Sequence, residues 1–222
     1  LLKRIRNNPG KRRLVDLLSW LFIQNEAFDQ AFVQLRALQK RLETNGRRLV
    51  ELASVARKNQ ALNTAEQVYR YLIDLGPDNP YYFRARQGVL EVQYDRITKL
   101  KEYEKADLVK LEKGYREFMN DERFSYASNG KVTLRLAKLK AVYLDEIDKA
   151  IGLLQTLINK QAGGNRTLKA KARLALADYY LLKGQHAKAQ LTYAKVENMF
   201  EGHPLGNKAT YRKAKLSFYK GN

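Results

Sequence analysis

His186 and His203 are the only imidazoles in the chain, and cysteine is absent. A general base or a metal site needs partners at a defined spacing, and neither histidine has one nearby in sequence. The lack of cysteine removes disulfides, thiolate ligands and thiol nucleophiles. Asp145, Glu146 and Asp148 form a carboxylate cluster. Its place after a helical segment suits a solvated helix start, favoured by the positive end of the helix dipole. A metal site is the remoter alternative. Gly163-Gly164-Asn165-Arg166-Thr167 is rich in glycine but lacks the Gly-Lys-Ser/Thr ending of a phosphate loop, and it follows a helix instead of a strand. It reads as a connector. The sequence therefore reads as non-enzymatic, with no catalytic group, cofactor or metal.

What remains is charge. The chain carries 42 Lys+Arg against 23 Asp+Glu, a formal net charge of +19. Residues 1–50 hold 11 basic and 4 acidic side chains, and residues 171–222 hold 10 and 3, whereas residues 101–130 hold 6 and 7. Basic ends around a neutral middle favour an anionic partner: an acidic protein surface, a nucleic acid or anionic lipid. A lysine-rich exterior that aids solubility is the competing explanation. Hydrophobic content of 45% is ample for a buried core, and no run approaches the 18 apolar residues of a membrane span.

The elements that carry these charges repeat. Val15, Leu18, Ser19, Phe22, Ala31, Leu35 and Leu38 recur after 34 residues as Leu49, Leu52, Ala53, Ala56, Ala65, Tyr69 and Leu72. Their i, i+3, i+4, i+7 spacing predicts a helix A over about 12–25 and a helix B over about 28–42. The second pair runs from Gly46 to the breaker Gly76-Pro77-Asp78. Arg173, Leu176, Ala177, Tyr180, Gly184, Ala189, Tyr193 and Val196 mark a later pair, with Gly184 at the turn where positive φ suits glycine. These positions resemble a tetratricopeptide repeat (TPR). The resemblance implies an all-α, TPR-like α-solenoid, a right-handed superhelix of antiparallel helix pairs. Residues 12–79 read as two regular repeats and 80–130 as an irregular segment, with a helix A over about 81–96 and a longer charged helical stretch over 97–119. Residues 131–206 read as two longer repeats, and 207–222 as the first helix of another, over about 208–220, with 201–207 as a loop. Residues 1–11 read as the tail of a preceding repeat, so the chain reads as a fragment of a longer array.

The resemblance also implies where a partner lies, because positions 2, 5, 9, 12 and 13 of each helix A face the concave surface. They fall on Arg13, Asp16, Trp20, Ile23 and Gln24, on Arg47, Val50, Ser54, Arg57 and Lys58, and on Tyr81, Arg84, Gly88, Glu91 and Val92. Later repeats supply Arg135, Leu139 and Tyr143, then Lys171, Leu174, Asp178 and Leu181, then Lys208, Tyr211, Lys215 and Phe218. The basic and aromatic members suit an acidic, partly apolar peptide or helix. Leu174, Leu181 and Phe218 fit equally well as packing between helices. The asparagine-plus-lysine clamp of chaperone-binding relatives has no counterpart at Leu17, Trp20, Glu51, Ser54, Ala85 or Gly88.

Over residues 131–222 the likeness is more particular. Tyr143–Ile151, Ala175–Val196 and Leu205–Asn222 resemble uncharacterised multi-repeat TPR proteins of Bacteroidota-type bacteria. That resemblance implies protein binding and a periplasmic or cell-envelope address, a cytoplasmic one being the alternative. The expected function is a scaffold for an acidic protein partner. A nucleic-acid binder using the basic ends, and an array that stacks on copies of itself, are the competing expectations.

Overall fold

The computed structural model describes residues 12–42, 46–160 and 165–219. The expected tail at 1–11, the glycines 163 and 164 and the end at 220–222 lie outside the described residues. The chain divides into two compact units, Leu1–Tyr103 and Glu104–Asn222.

In the first unit α1 (Arg12–Gln24) and α2 (Phe28–Leu42) form one pair, and α3 (Arg47–Lys58) and α4 (Leu62–Asp74) the next. α5 (Tyr82–Asp95) follows and runs into a π-helical turn, Arg96–Leu100. Each element packs on its neighbour, and α3 also touches α5 and α2 touches α4, which is how a solenoid buries a continuous core. Ala31, Ala53, Ala56, Ala65, Val68, Leu72 and Val92 are wholly inaccessible. The small alanines let the helices approach while Leu49, Leu52 and Tyr69 fill the space between them.

One turn closes the pairs of both units. Glu26, Gln60 and Gly184 adopt φ of 57°, 63° and 68°. The next residue's N–H then reaches back to the carbonyl of Phe22, Ala56 or Tyr180, capping the last helical turn. Only Gly184 is legible as such a position, because the other two are non-glycine residues. Gly88 sits where a Cβ would lie 2.5 Å from the Tyr69 ring. That makes it the small core residue of α5, 35 residues after Ala53. The strict 34-residue frame puts it on the open face, so the frame slips by one at the third repeat.

The second unit contains α6 (Lys105–Met119), α7 (Tyr126–Tyr143), α8 (Ile147–Lys160), α9 (Arg166–Leu182), α10 (His186–Met199) and α11 (Pro204–Tyr219). Its core includes one cluster built on Ala137, Ala150, Leu154, Leu157 and Ala172 and another on Ala177, Ala189, Tyr193, Val196 and Ala209. Three sequence expectations are corrected. The charged stretch 97–119 is not one helix: Lys101 takes φ of 58°, and Glu104 is extended. Asp107 then accepts the Glu104 N–H at 2.9 Å, closing a capping box that starts α6 afresh. The repeat expected over 131 onward opens with a helix that begins earlier, at Tyr126, and is kinked at Asn129, next to Gly130, two poor helix formers. The loop expected over 201–207 is half helix, because Pro204 opens α11. Proline is at home in a first turn, where its missing N–H is not needed. Asn165 is more than a connector, since its side chain accepts the Leu168 N–H at 3.0 Å and caps α9.

Candidate partner-binding surfaces

The charged residues of the first helices of each pair divide into two sets: those that bind the solenoid together and those left on its surface. Arg57 on α3 belongs to the first set. Its guanidinium lies 2.8 Å from Glu91 and 2.8 Å from Asp95, both on α5, and its side chain is 17% exposed. Gln87 donates to the other Glu91 oxygen at 3.0 Å, and Lys99 reaches Asp95 at 3.2 Å. Burial, followed by the Glu91 charge, pushes the neighbouring Tyr69 phenol upward against the opposing pull of Arg57 and Arg84. Arg48 on α3 pairs with Asp16 on α1.

The second unit repeats the device. Arg212 Nη1 on α11 lies 2.8 and 2.6 Å from the two oxygens of Asp178 on α9, and the Tyr193 hydroxyl donates to Asp178 at 2.5 Å. Burial pushes the Asp178 carboxyl up even so, against those donors and the charge of Lys208. Lys140, 4% exposed, sits between Glu112 of α6 at 2.5 Å and Glu146 at 2.6 Å. Its hydrogen bond and that of Lys149 hold the Glu146 carboxyl down to about 2.

Arg57, Glu91 and Asp178, expected on a partner-facing groove, are therefore occupied within the fold. Gly88, Val92, Leu139 and Leu174 are buried in it. Arg135, Tyr143 and Tyr81 are half-buried. The signal that identifies the internal set was in the sequence: Arg57 and Glu91, and Asp178 and Arg212, are opposite charges 34 residues apart. Residues one repeat apart on successive first helices meet side to side.

The exposed remainder is spread over α1, α3, α5, α9 and α11. Arg13 and Trp20 lie on the outer face of α1, Trp20 being 54% exposed, together with Leu17 and Leu21, which the repeat positions did not select. Lys58, Arg84 and Lys171 are exposed, and so is Arg47, paired with Glu51 at 3.0 Å. On α11, Lys208, Tyr211, Lys215 and Phe218 form one exposed strip, joined by Tyr219.

Neither histidine sits in a reactive setting. His203 Nδ1 accepts the Leu205 N–H at 3.1 Å, and its ring leans on Phe200 at 5.3 Å, so it caps the start of α11. His186 is the exposed first residue of α10. Among the described residues no three His, Asp or Glu side chains are placed to hold a metal, and no helix is long and apolar enough to cross a membrane. A cleft of about 440 Å³ between the end of α10 and the start of α11 is lined by Glu197, Asn198, Glu201, Asn207 and Thr210. Its Glu197 is already engaged by Lys213 and Thr210, whose hydrogen bonds lower its carboxyl pKa.

The arrangement has counterparts among solved structures. TTC0263, a TPR protein of Thermus thermophilus, superposes with a TM-score of 0.58 at 20% identity, over 93% of this chain and 98% of that one. The fold is that of a tetratricopeptide-repeat solenoid. BtubC from P. vanneervenii superposes with a TM-score of 0.63 at 14% identity, over 99% of this chain and 84% of that one. PilW, a type IV pilus biogenesis factor, gives 0.59 at 14% identity, over 93% and 89%. No protein-family model and no curated protein sequence matches the chain. In this TPR-type fold, α1, α3 and α5 and then α7, α9 and α11 are the first helices of their repeats.

Proposed function

We propose that the chain is a non-enzymatic scaffold that holds an acidic protein partner, a peptide or a helix, on the open faces of its first helices. The observation that carries this reading is the survival of exposed aromatic and basic side chains after the internal ion pairs are assigned. Trp20 on the same face of α1 as Arg13, and Tyr211 and Phe218 beside Lys208 and Lys215 on α11, supply apolar contact area with positive charge along the helix. Contiguous exposed apolar patches rimmed by polar side chains mark contact sites, whereas single exposed apolar residues are ordinary. Each unit has its own candidate surface: Arg13, Trp20, Arg47, Lys58 and Arg84 with half-buried Tyr81 in the first, and Lys171, Lys208, Tyr211 and Lys215 with half-buried Arg135 and Tyr143 in the second. Arg57 contributes through the fold.

The test is affinity capture with the whole chain and with a variant carrying Lys58→Glu, Arg84→Glu, Lys171→Glu and Lys208→Glu. The expected result is loss of acidic partners from the variant. An unchanged partner set would refute the assignment. The likeness to PilW and the resemblance to Bacteroidota-type repeat proteins support an address in the bacterial envelope, which fractionation of cells producing the tagged protein would check.

A second reading, nucleic-acid binding, is favoured by the net charge of +19. It requires a gel shift with single- or double-stranded nucleic acid that weakens steeply with salt. No retardation at micromolar protein eliminates it.

A further inference from the structure

We infer that Met199 is a site of oxidation by hydroperoxides, and that Arg173 receives the sulfoxide oxygen, so that the modification tightens the contact between α9 and α10. Such a site is independent of any partner and goes beyond the scaffold reading.

The chain has two methionines, Met119 and Met199, and no cysteine, so these are its only sulfur atoms. Each is half-buried at the end of a helix, Met119 as the last residue of α6 and Met199 as the last of α10. They differ in what faces the sulfur. Among the described residues no donor meets the Met119 sulfur. Met199 Sδ accepts a hydrogen bond from Arg173 Nη1 on α9 at 2.9 Å. Arg166, two turns earlier on α9, donates to the Met199 carbonyl at 3.3 Å and lies over the Phe200 ring at 5.6 Å. Two guanidiniums of α9 thus hold the end of α10.

Arg173 lacks a good acceptor. It makes no ion pair among the described residues, and the sulfur is its hydrogen-bond partner. Residues 166–177 include Arg166, Lys169, Lys171 and Arg173 and no carboxylate. The first acid of α9, Asp178, is engaged by Tyr193 and Arg212. Burial pulls the Arg173 guanidinium below its usual pKa. A thioether sulfur is a weak acceptor, whereas a sulfoxide is polar. A hydrogen bond from a charged donor to such an oxygen is among the stronger kinds.

The chemistry needs only a hydroperoxide, with hydrogen peroxide as the simplest. The sulfur lone pair that Arg173 does not engage attacks one peroxide oxygen. An S–O bond forms as the O–O bond breaks, and the departing oxygen takes up the proton and leaves as water. Sulfur loses two electrons and the peroxide gains them. The Met199 side chain is unbranched with three rotatable bonds, so it can turn to present the new oxygen where the sulfur now meets Arg173. At Met119 the same oxygen would find no donor, and part-burying it there costs stability.

The experiment uses three variants of the whole chain. Met119→Leu keeps only Met199, Met199→Leu keeps only Met119, and the third combines Met119→Leu with Arg173→Leu. Each is treated folded with hydrogen peroxide, the added oxygen is located by peptide mass spectrometry, and the urea midpoint is measured before and after. Oxidation should raise the midpoint of Met119→Leu and lower that of the other two. With and without Arg173, its effect on the folding equilibrium constant should differ about tenfold, corresponding to about 1.4 kcal/mol. A fall in the Met119→Leu midpoint overturns the inference. So does a rise that persists without Arg173, or a Met199 left untouched by peroxide that converts Met119. Should Arg173→Leu fail to fold, the opposite signs expected of the two single-methionine chains still decide the matter.

Discussion

Arg57 shows how one side chain decides between two roles. Its guanidinium satisfies two carboxylates of the next first helix, Glu91 and Asp95, at 2.8 Å each. Removing one partner of a shielded ion pair leaves charge in a medium that solvates it poorly. Arg57→Leu should therefore cost about 3 kcal/mol of stability, read as a lowered urea midpoint of the whole chain. Lys58→Leu, one residue away and exposed, should change it by no more than about 0.5 kcal/mol. Glu146 makes the complementary prediction in pH. Lys140 and Lys149 hold its folded pKa down to about 2, while the unfolded carboxyl titrates near about 4.3. Glu112 is lowered in the same direction: burial opposes it, but hydrogen bonds from Lys140 and Arg116 outweigh that. The unfolded chain takes up these protons first as pH falls, so the pairs contribute fully above about pH 4.5 and are lost on acidification toward about 2. Urea midpoints measured across that range should fall more steeply for the parent chain than for Glu146→Gln.

At the scale of the element, two glycines in helices have opposite meanings. A Cβ added at Gly152 in α8 would meet nothing within 4 Å, whereas one at Gly206 would meet the Phe200 carbonyl oxygen at 1.9 Å. Gly152→Ala should raise stability by about 0.5–1 kcal/mol through helix propensity. Gly206→Ala must push α11 off the end of α10 and should lower it, and thermal unfolding of the two variants would show opposite shifts. The sequence does not separate these cases, since both are glycines in helices. It shows α1 and α2 almost to the residue and places the pair α3 and α4 between Gly46 and Pro77, because their apolar stripes repeat at one interval and their turns are short. It loses α5 by one position, where Gly88 replaces Ala53 after 35 residues. It misses the start of α11, where a proline reads as a breaker until the helix is seen to begin on it. The basic and aromatic groove is legible only in part for a related reason. Repeat position says which residues share a face, and only a comparison of charges one repeat apart, as at Arg57 with Glu91, separates the internally paired ones.

For the whole molecule, the segment between the units offers a direct check. Lys99 to Asp107 are all exposed, and Lys101 to Glu104 are non-helical. Proteases need an exposed, extended stretch, so brief trypsin treatment should yield fragments of about 1–101 and 102–222 by mass spectrometry. Survival of this segment under conditions that cut within α3 or α9 would contradict the division into two compact units. The ion pairs between successive first helices carry a further consequence. Asp16 with Arg48 places the acid on the earlier helix, Arg57 with Glu91 places it on the later, and Asp178 with Arg212 reverses again. A tandem duplicate of α3 inserted behind the original would set Arg57 against its own copy. The repeats look copied from one another, yet at these three junctions the paired charges fit only the neighbour they have, so the helices joined by them are not interchangeable.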